Sequence, residues 1–145
     1  MSENFLLNLM RVALQVTRAE RAFSVDNQLA ILGSIKIEPE KVEAPYLKSM
    51  KKAIDDGRPI ITDNYTMTIE PSKAPITNQS FPQLRAVVVI PVSGHGAICV
   101  DQRLRGGIVA KEKVDKLTRM IEQVLHSGRL DITEDELLKL YNGLS

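Results

Sequence analysis

The stretch Leu84 to Arg103 constrains this chain more than any other. It reads LRAVVVIPV, breaks at Ser93-Gly94-His95-Gly96, and resumes as AICVDQR. Ala86 to Ile90 is apolar and mostly β-branched, which suits a pleated, doubly buried strand and crowds a helix. The glycines around His95 allow the positive φ of a hairpin turn, so Ala97 to Asp101 should return antiparallel beside the first strand. If the turn holds an odd number of residues, Val88 and Ile90 share one face with Ile98 and Val100. Val87, Val89, Cys99 and Asp101 then share the other.

A hairpin alone is marginal in water, so the rest of the chain must cover both faces. With 145 residues there is room for one domain, able to bury roughly 68–70% of its unfolded surface. Nineteen basic and eighteen acidic residues leave a net charge of +1, which gives no electrostatic case for nucleic acid or a membrane surface as a partner. The early apolar runs are interrupted by Asn8, Arg11 and Gln15, so neither a signal peptide nor a membrane span is expected. A single cysteine excludes an internal disulfide, and a reducing cytoplasm is the expected location.

Asn4 to about Arg18 has helical spacing, with Ser2 as its expected N-cap. Phe5, Leu9, Val12 and Val16 form one apolar stripe, Leu6, Met10 and Ala13 a second, and Leu7 and Leu14 a third. One domain core accounts for the first stripe and part of the next. Leaving Leu7, Met10 and Leu14 in water forgoes roughly 1.5–3 kcal/mol each, so a second copy of the chain is expected to cover them.

Arg21–Asp26 and Leu29–Ile37 read as short strands around an Asp26-Asn27-Gln28 turn. Pro45 suits a first helical position and Gly57 a left-handed helix stop, with Tyr46, Leu47, Met50, Ala53 and Ile54 on one face between them. Ile60–Asp63 is a brief strand. Asn64–Gln83 then has three prolines and little periodicity, and connections of that length are often functional. A helix over Val109–His126 carries Ala110, Val114, Leu117, Ile121 and Val124 at seam-like spacing. With Met120, Leu117 and Val124 join Leu7, Met10 and Leu14 in the expected dimer interface. Gly128 ends that helix, and Thr133-x-x-Glu136 forms a capping box for a last helix, with Ile132 able to staple onto Leu137.

Order and spacing together carry a family resemblance. A helix leads to RAERA at Arg18–Ala22 and a strand, then to a helix ending DDGRPIITD at Asp55–Asp63. LRAVVVIPV, GAICVD at Gly96–Asp101 and a closing helix follow. Over about Asn4–His126 this resembles the GAF domain family. The resemblance implies an α+β fold of the GAF-like, profilin/PAS-like kind: a central antiparallel sheet of five or six strands, terminal helices on one face and a loop-covered pocket on the other. It also implies a sensory or dimerising role. Residues 1–127 would be the GAF-like domain and 128–145 a C-terminal capping-box helix extending it. The chain departs from the pattern at Ala86, where the family often has Ser. No output domain is expected within this length, so a signal would act on a signalling protein partner in trans, or the chain is a piece of a longer protein.

The apolar residues Tyr65, Met67, Ile76 and Phe81, set among Asn64, Asn78, Gln79 and Ser80, either close over a small-molecule ligand or seal the sheet as a small core of their own. With Val87, Val89, Cys99 and Asp101 beneath, they are the candidate ligand-binding residues. Catalytic residues are not expected. Cys99 has no local cation or helix N-terminus to lower its pKa. Ser93 and His95 fit a turn better than a nucleophile and base. Two isolated histidines make no metal site. Among GAF-domain chemistries, methionine sulfoxide reduction uses several cysteines, bilin attachment a Cys beside a His, and cyclic-nucleotide binding a scattered Asn-Lys, Phe and Asp-Glu pattern. None is present. The sequence names no cofactor. The expectation is a non-catalytic regulatory domain that dimerises through its terminal helices and binds a small ligand, with a ligand-free interaction or dimerisation module as the alternative.

Overall fold

A computed structural model of the chain describes residues 2–42, 44–62, 85–103 and 110–144. Alternation of buried branched residues in the central hairpin builds the sheet outward. The strands are β1 (Arg21–Asp26), β2 (Ile31–Ile35), β3 (Ile60–Thr62), β4 (Arg85–Val92) and β5 (Gly96–Arg103), in the spatial order β2-β1-β5-β4-β3. Every neighbouring pair is antiparallel. The helices are α1 (Ser2–Thr17), α2 (Ala44–Asp56), α3 (Lys111–Ser127) and α4 (Glu134–Gly143), with a 3-10 turn at Pro39–Lys41.

The β4–β5 loop is Ser93-Gly94-His95, an odd number of residues. Val88 therefore faces Val100 and Ile90 faces Ile98, while Val87 pairs with Asp101 and Val89 with Cys99. The even set of β4, with Ala22, packs under α1, α3 and α4. The odd set, with Phe23 and Val25, packs under Tyr46, Met50 and Ala53 of α2. The layering expected from the sequence is present: α1 and α3 share one side of a five-stranded sheet, whose centre is the Val88/Val100 pair.

The dimer-interface assignment needs correcting. Met10, Leu117, Met120 and Val124 are at most 2% exposed within the chain itself. Leu7 and Leu14 are half-buried against the same core. The surplus apolar surface of α1 is taken up by α4 and β2. Leu137 and Tyr141 of α4 join the core. The Leu7 side chain lies over Gly33 of β2, where a Cβ would collide with Leu7 Cδ2. Two polar ties hold the layer: Asn8 Nδ2 donates to the Ile132 carbonyl at 3.2 Å, and Lys113 Nζ donates to the Val16 carbonyl at 3.0 Å. The second places a cation at the negative end of α1.

Element ends differ from the sequence reading for identifiable reasons. Ser2 is the first residue of α1 and not its N-cap. Arg18, at φ 58°, turns the chain out of α1. β2 is shorter than Leu29–Ile37 because Leu29 (φ 68°) and Lys36 (φ 62°) take left-handed backbone on either side of it. Ala110 is extended (φ −63°, ψ 135°) and offers no side-chain cap, so α3 begins at Lys111. The expected local devices are in place elsewhere. Asp26 Oδ1 accepts from the amides of Gln28 at 2.8 Å and Ala30 at 3.0 Å. Thr133 and Glu136 form a reciprocal capping box.

One internal defect gives a stability prediction. Ser24 Oγ is fully buried beside Ile98 and Gly33 and has no hydrogen-bond partner among the described residues. A buried unsatisfied hydroxyl costs ~1–3 kcal/mol. Ser24→Ala is therefore expected to stabilise the fold by about 1 kcal/mol, raising the thermal midpoint by roughly 2–4 °C. Denaturation of the two proteins side by side checks it.

Candidate functional site

The α2 face of the sheet carries the one buried carboxylate among the described residues, Asp101, at 2% exposure. A charge held there needs a partner and further hydrogen bonds. β1 supplies the first. Arg21 stands directly across from Asp101 in the β1–β5 register, and its guanidinium grips the carboxylate with two bonds. Nε donates to Oδ1 at 2.9 Å and Nη2 to Oδ2 at 2.7 Å. α2 supplies the second. The Tyr46 hydroxyl donates to Asp101 Oδ2 at 2.5 Å and accepts from Arg21 Nη2 at 2.9 Å. Such charge-assisted, two-pronged contacts fix geometry as well as adding energy.

The helix brings Tyr46 there because its ring also packs edge-on against Phe23, with centroids 5.9 Å apart. Burial first, then the charge of Asp101, pushes the Tyr46 hydroxyl well above the ordinary phenol range. It remains a proton donor across neutral pH. The hydrogen bond to Asp101 raises the Arg21 guanidinium further still, against an opposing effect of burial. The cluster is therefore a charge-paired clasp joining β1, β5 and α2.

Of the candidate ligand residues, the structure brings Val87, Val89, Cys99 and Asp101 together on this face, beneath α2. Tyr65, Met67, Ile76 and Phe81 lie outside the described residues. Cys99 is 1% exposed, and burial, followed by the charge of Asp101, pushes its thiol up. That makes it a packing residue of the strand and a poor nucleophile. The His95 amide closes the hairpin on the Val92 carbonyl at 2.9 Å, and the His95 ring meets Phe5 edge-on at 5.8 Å. Among the described residues no group of three or more His, Cys, Asp or Glu side chains could hold a metal ion. No described helix is long and apolar enough to cross a membrane.

Sequence reasoning does not single out Arg21 and Tyr46 as site residues. A signal is present, because a carboxylate inside the apolar run AICVD demands a cation nearby. Identifying that cation needs the strand order. At the other end of the same strands, a cleft of about 180 Å³ opens between the β4–β5 turn, the end of α2 and α3. Among the described residues, Glu122 is its one charged lining residue.

The sheet order and layering define a GAF-like α+β domain. Among solved structures, the chain is similar to that of the GAF domain/HD domain protein from Geobacter sulfurreducens, with a TM-score of 0.59 and 10% sequence identity. The likeness spans 90% of this chain and 95% of that one. At this identity it speaks for the fold. No family model matches the sequence, and neither does any curated protein.

Proposed function

We propose that this GAF-like domain is a non-catalytic regulatory module, which binds a small molecule on its α2 face and acts on a protein partner in trans. The observation that carries the reading is the Arg21–Asp101–Tyr46 clasp. It ties α2 to the middle of a sheet whose opposite face seats α1, α3 and α4. A ligand that changes the seat of α2 changes the clasp, and the sheet carries the change to the helices behind it. That coupling requires unequal ligand affinity for two states of the domain. The buried Cys99 and the fully bonded Asp101 carboxylate support a binding role over a chemical one. The homodimer expected from the sequence is retained only through Leu7 and Leu14, the two members of that set that stay partly exposed.

A thermal-shift screen of nucleotides, amino acids and small organic acids tests the proposal. A ligand at 100 times its dissociation constant adds about 2.7 kcal/mol, a rise of roughly 5–10 °C for a domain of this size. A hit whose shift is altered in Tyr46→Phe supports binding on the α2 face. A screen in which nothing moves the midpoint removes the sensing role and leaves the ligand-free interaction module.

A further inference from the structure

Arg21 does more than neutralise Asp101. Its Nε and Nη2 are spent on Asp101 and Tyr46, whereas Nη1 makes no hydrogen bond among the described residues. In a planar guanidinium clamped along the Nε–Nη2 edge, Nη1 points away from the carboxylate. Arg21 is 25% exposed in its side chain, and that exposed part lines a groove of about 530 Å³ shared with Lys36, Ile37, Glu38 and Lys41. The volume is within the range of small-molecule sites.

We propose that this groove is an oxyanion-binding site, which takes a small molecule carrying a phosphate or carboxylate. Arg21 Nη1 is the fixed donor, and Lys36 and Lys41 are the rim charges. This deepens the ligand-binding reading above and rests on it.

Three features of the chain point the same way. Asp101 and Tyr46 hold the guanidinium in one orientation, so its remaining N–H groups meet a ligand without first being ordered. Lys36 has no ion-pair partner among the described residues, and it stands in left-handed backbone at φ 62° directly after β2. A side chain other than Gly, Asn or Asp is uncommon in that conformation. Lys41 pairs with Glu38 at 3.4 Å, with both side chains more than half exposed. A contact of that kind is weak and readily exchanged for a ligand oxyanion. Among the described residues, three cations, Arg21, Lys36 and Lys41, stand against two carboxylates, Asp101 and Glu38. The groove therefore has one positive charge in surplus.

The test is an amide NMR titration of the full chain with inorganic phosphate in one arm and oxalate in the other. Sodium chloride at matched ionic strength is the control, because exposed charges are screened by salt. The expected result is saturable movement of the Lys36, Ile37, Glu38 and Lys41 amides, with a dissociation constant of roughly 1–10 mM. The arm that binds more tightly identifies the head group. Lys36→Gln with Lys41→Gln changes only exposed side chains, and should weaken binding about tenfold while the rest of the spectrum is unmoved. Arg21→Lys, which keeps the charge but loses the planar fork, should abolish it. No saturable shift with either anion, or the same affinity in the double Gln variant, overturns the site. A neutral hit in the thermal screen with a silent groove would sink this proposal and leave the sensing role standing.

Discussion

Asp101→Ala is expected to lower the thermal midpoint by roughly 6–12 °C, which corresponds to a loss of about 3 kcal/mol in a domain of this length. The size follows from what is left behind. Removing one partner of a buried pair strands the other, at a typical cost of ~3–5 kcal/mol. Arg21 has a side chain 25% exposed and can reorient partly to water, so the lower end of that range applies. Tyr46 adds to the loss, because its hydroxyl is pressed against a carboxylate that is no longer there. The clasp is not thereby a net source of stability. Replacing all three members with apolar groups of similar volume, Arg21→Met, Asp101→Leu and Tyr46→Phe, should return the midpoint to within a few degrees of wild type. Chemical and thermal denaturation of the single and triple variants measure both quantities. An Asp101→Ala protein within about 0.5 kcal/mol of wild type would show that the carboxylate is solvated and the clasp loose.

What the sequence discloses here depends on whether the deciding contact is local. The hairpin turn, the alternation of Val87 to Ile90 and the Thr133–Glu136 box all depend on residues within a few positions of one another. The two sheet faces can therefore be assigned from the residue order alone. α1 shows where local reading stops. Its three apolar stripes are visible, but α4, which covers part of them, is more than a hundred residues further on. An amphipathic α4 can be recognised without any indication of its docking site, and a second copy of the chain is then the natural candidate to fill the gap. The clasp is hidden for a related reason. Arg21 and Asp101 are 80 residues apart and meet because β1 lies beside β5 and not only beside β2. That neighbour relation is set by how the layers close, which no periodicity encodes. The left-handed backbone of Lys36 is likewise unreadable, since residue type predicts such a conformation only for Gly, Asn or Asp.

Gly96→Ala is expected to cost roughly 2–6 kcal/mol, from ~1–3 kcal/mol of overpacking and ~1–3 kcal/mol of backbone strain. The sequence presents Gly94 and Gly96 as equivalent turn residues, but the structure separates them. Gly94, at φ 81°, has nothing within 4 Å of where a Cβ would stand. Gly94→Ala should therefore cost only the left-handed penalty of about 1–2 kcal/mol. Gly96, at φ 148°, is the first residue of β5, and its Cβ would overlap the Val25 carbonyl oxygen and lie 2.9 Å from Asp26 Cα. Both obstacles are backbone, so no rotamer change relieves them. β1 and β5 would have to part at the Asp26↔Gly96 pair, and the Asp26 side chain there also holds the turn into β2. Strain would thus spread across three strands, while the Arg21↔Asp101 pair at the far end stays in register. Denaturation midpoints of the two alanine variants measure the difference, and amide hydrogen exchange should show protection lost first at Val25, Asp26 and Ala97. Equal destabilisation of the two would mean that positive φ alone governs both sites and that β1 does not approach β5 this closely.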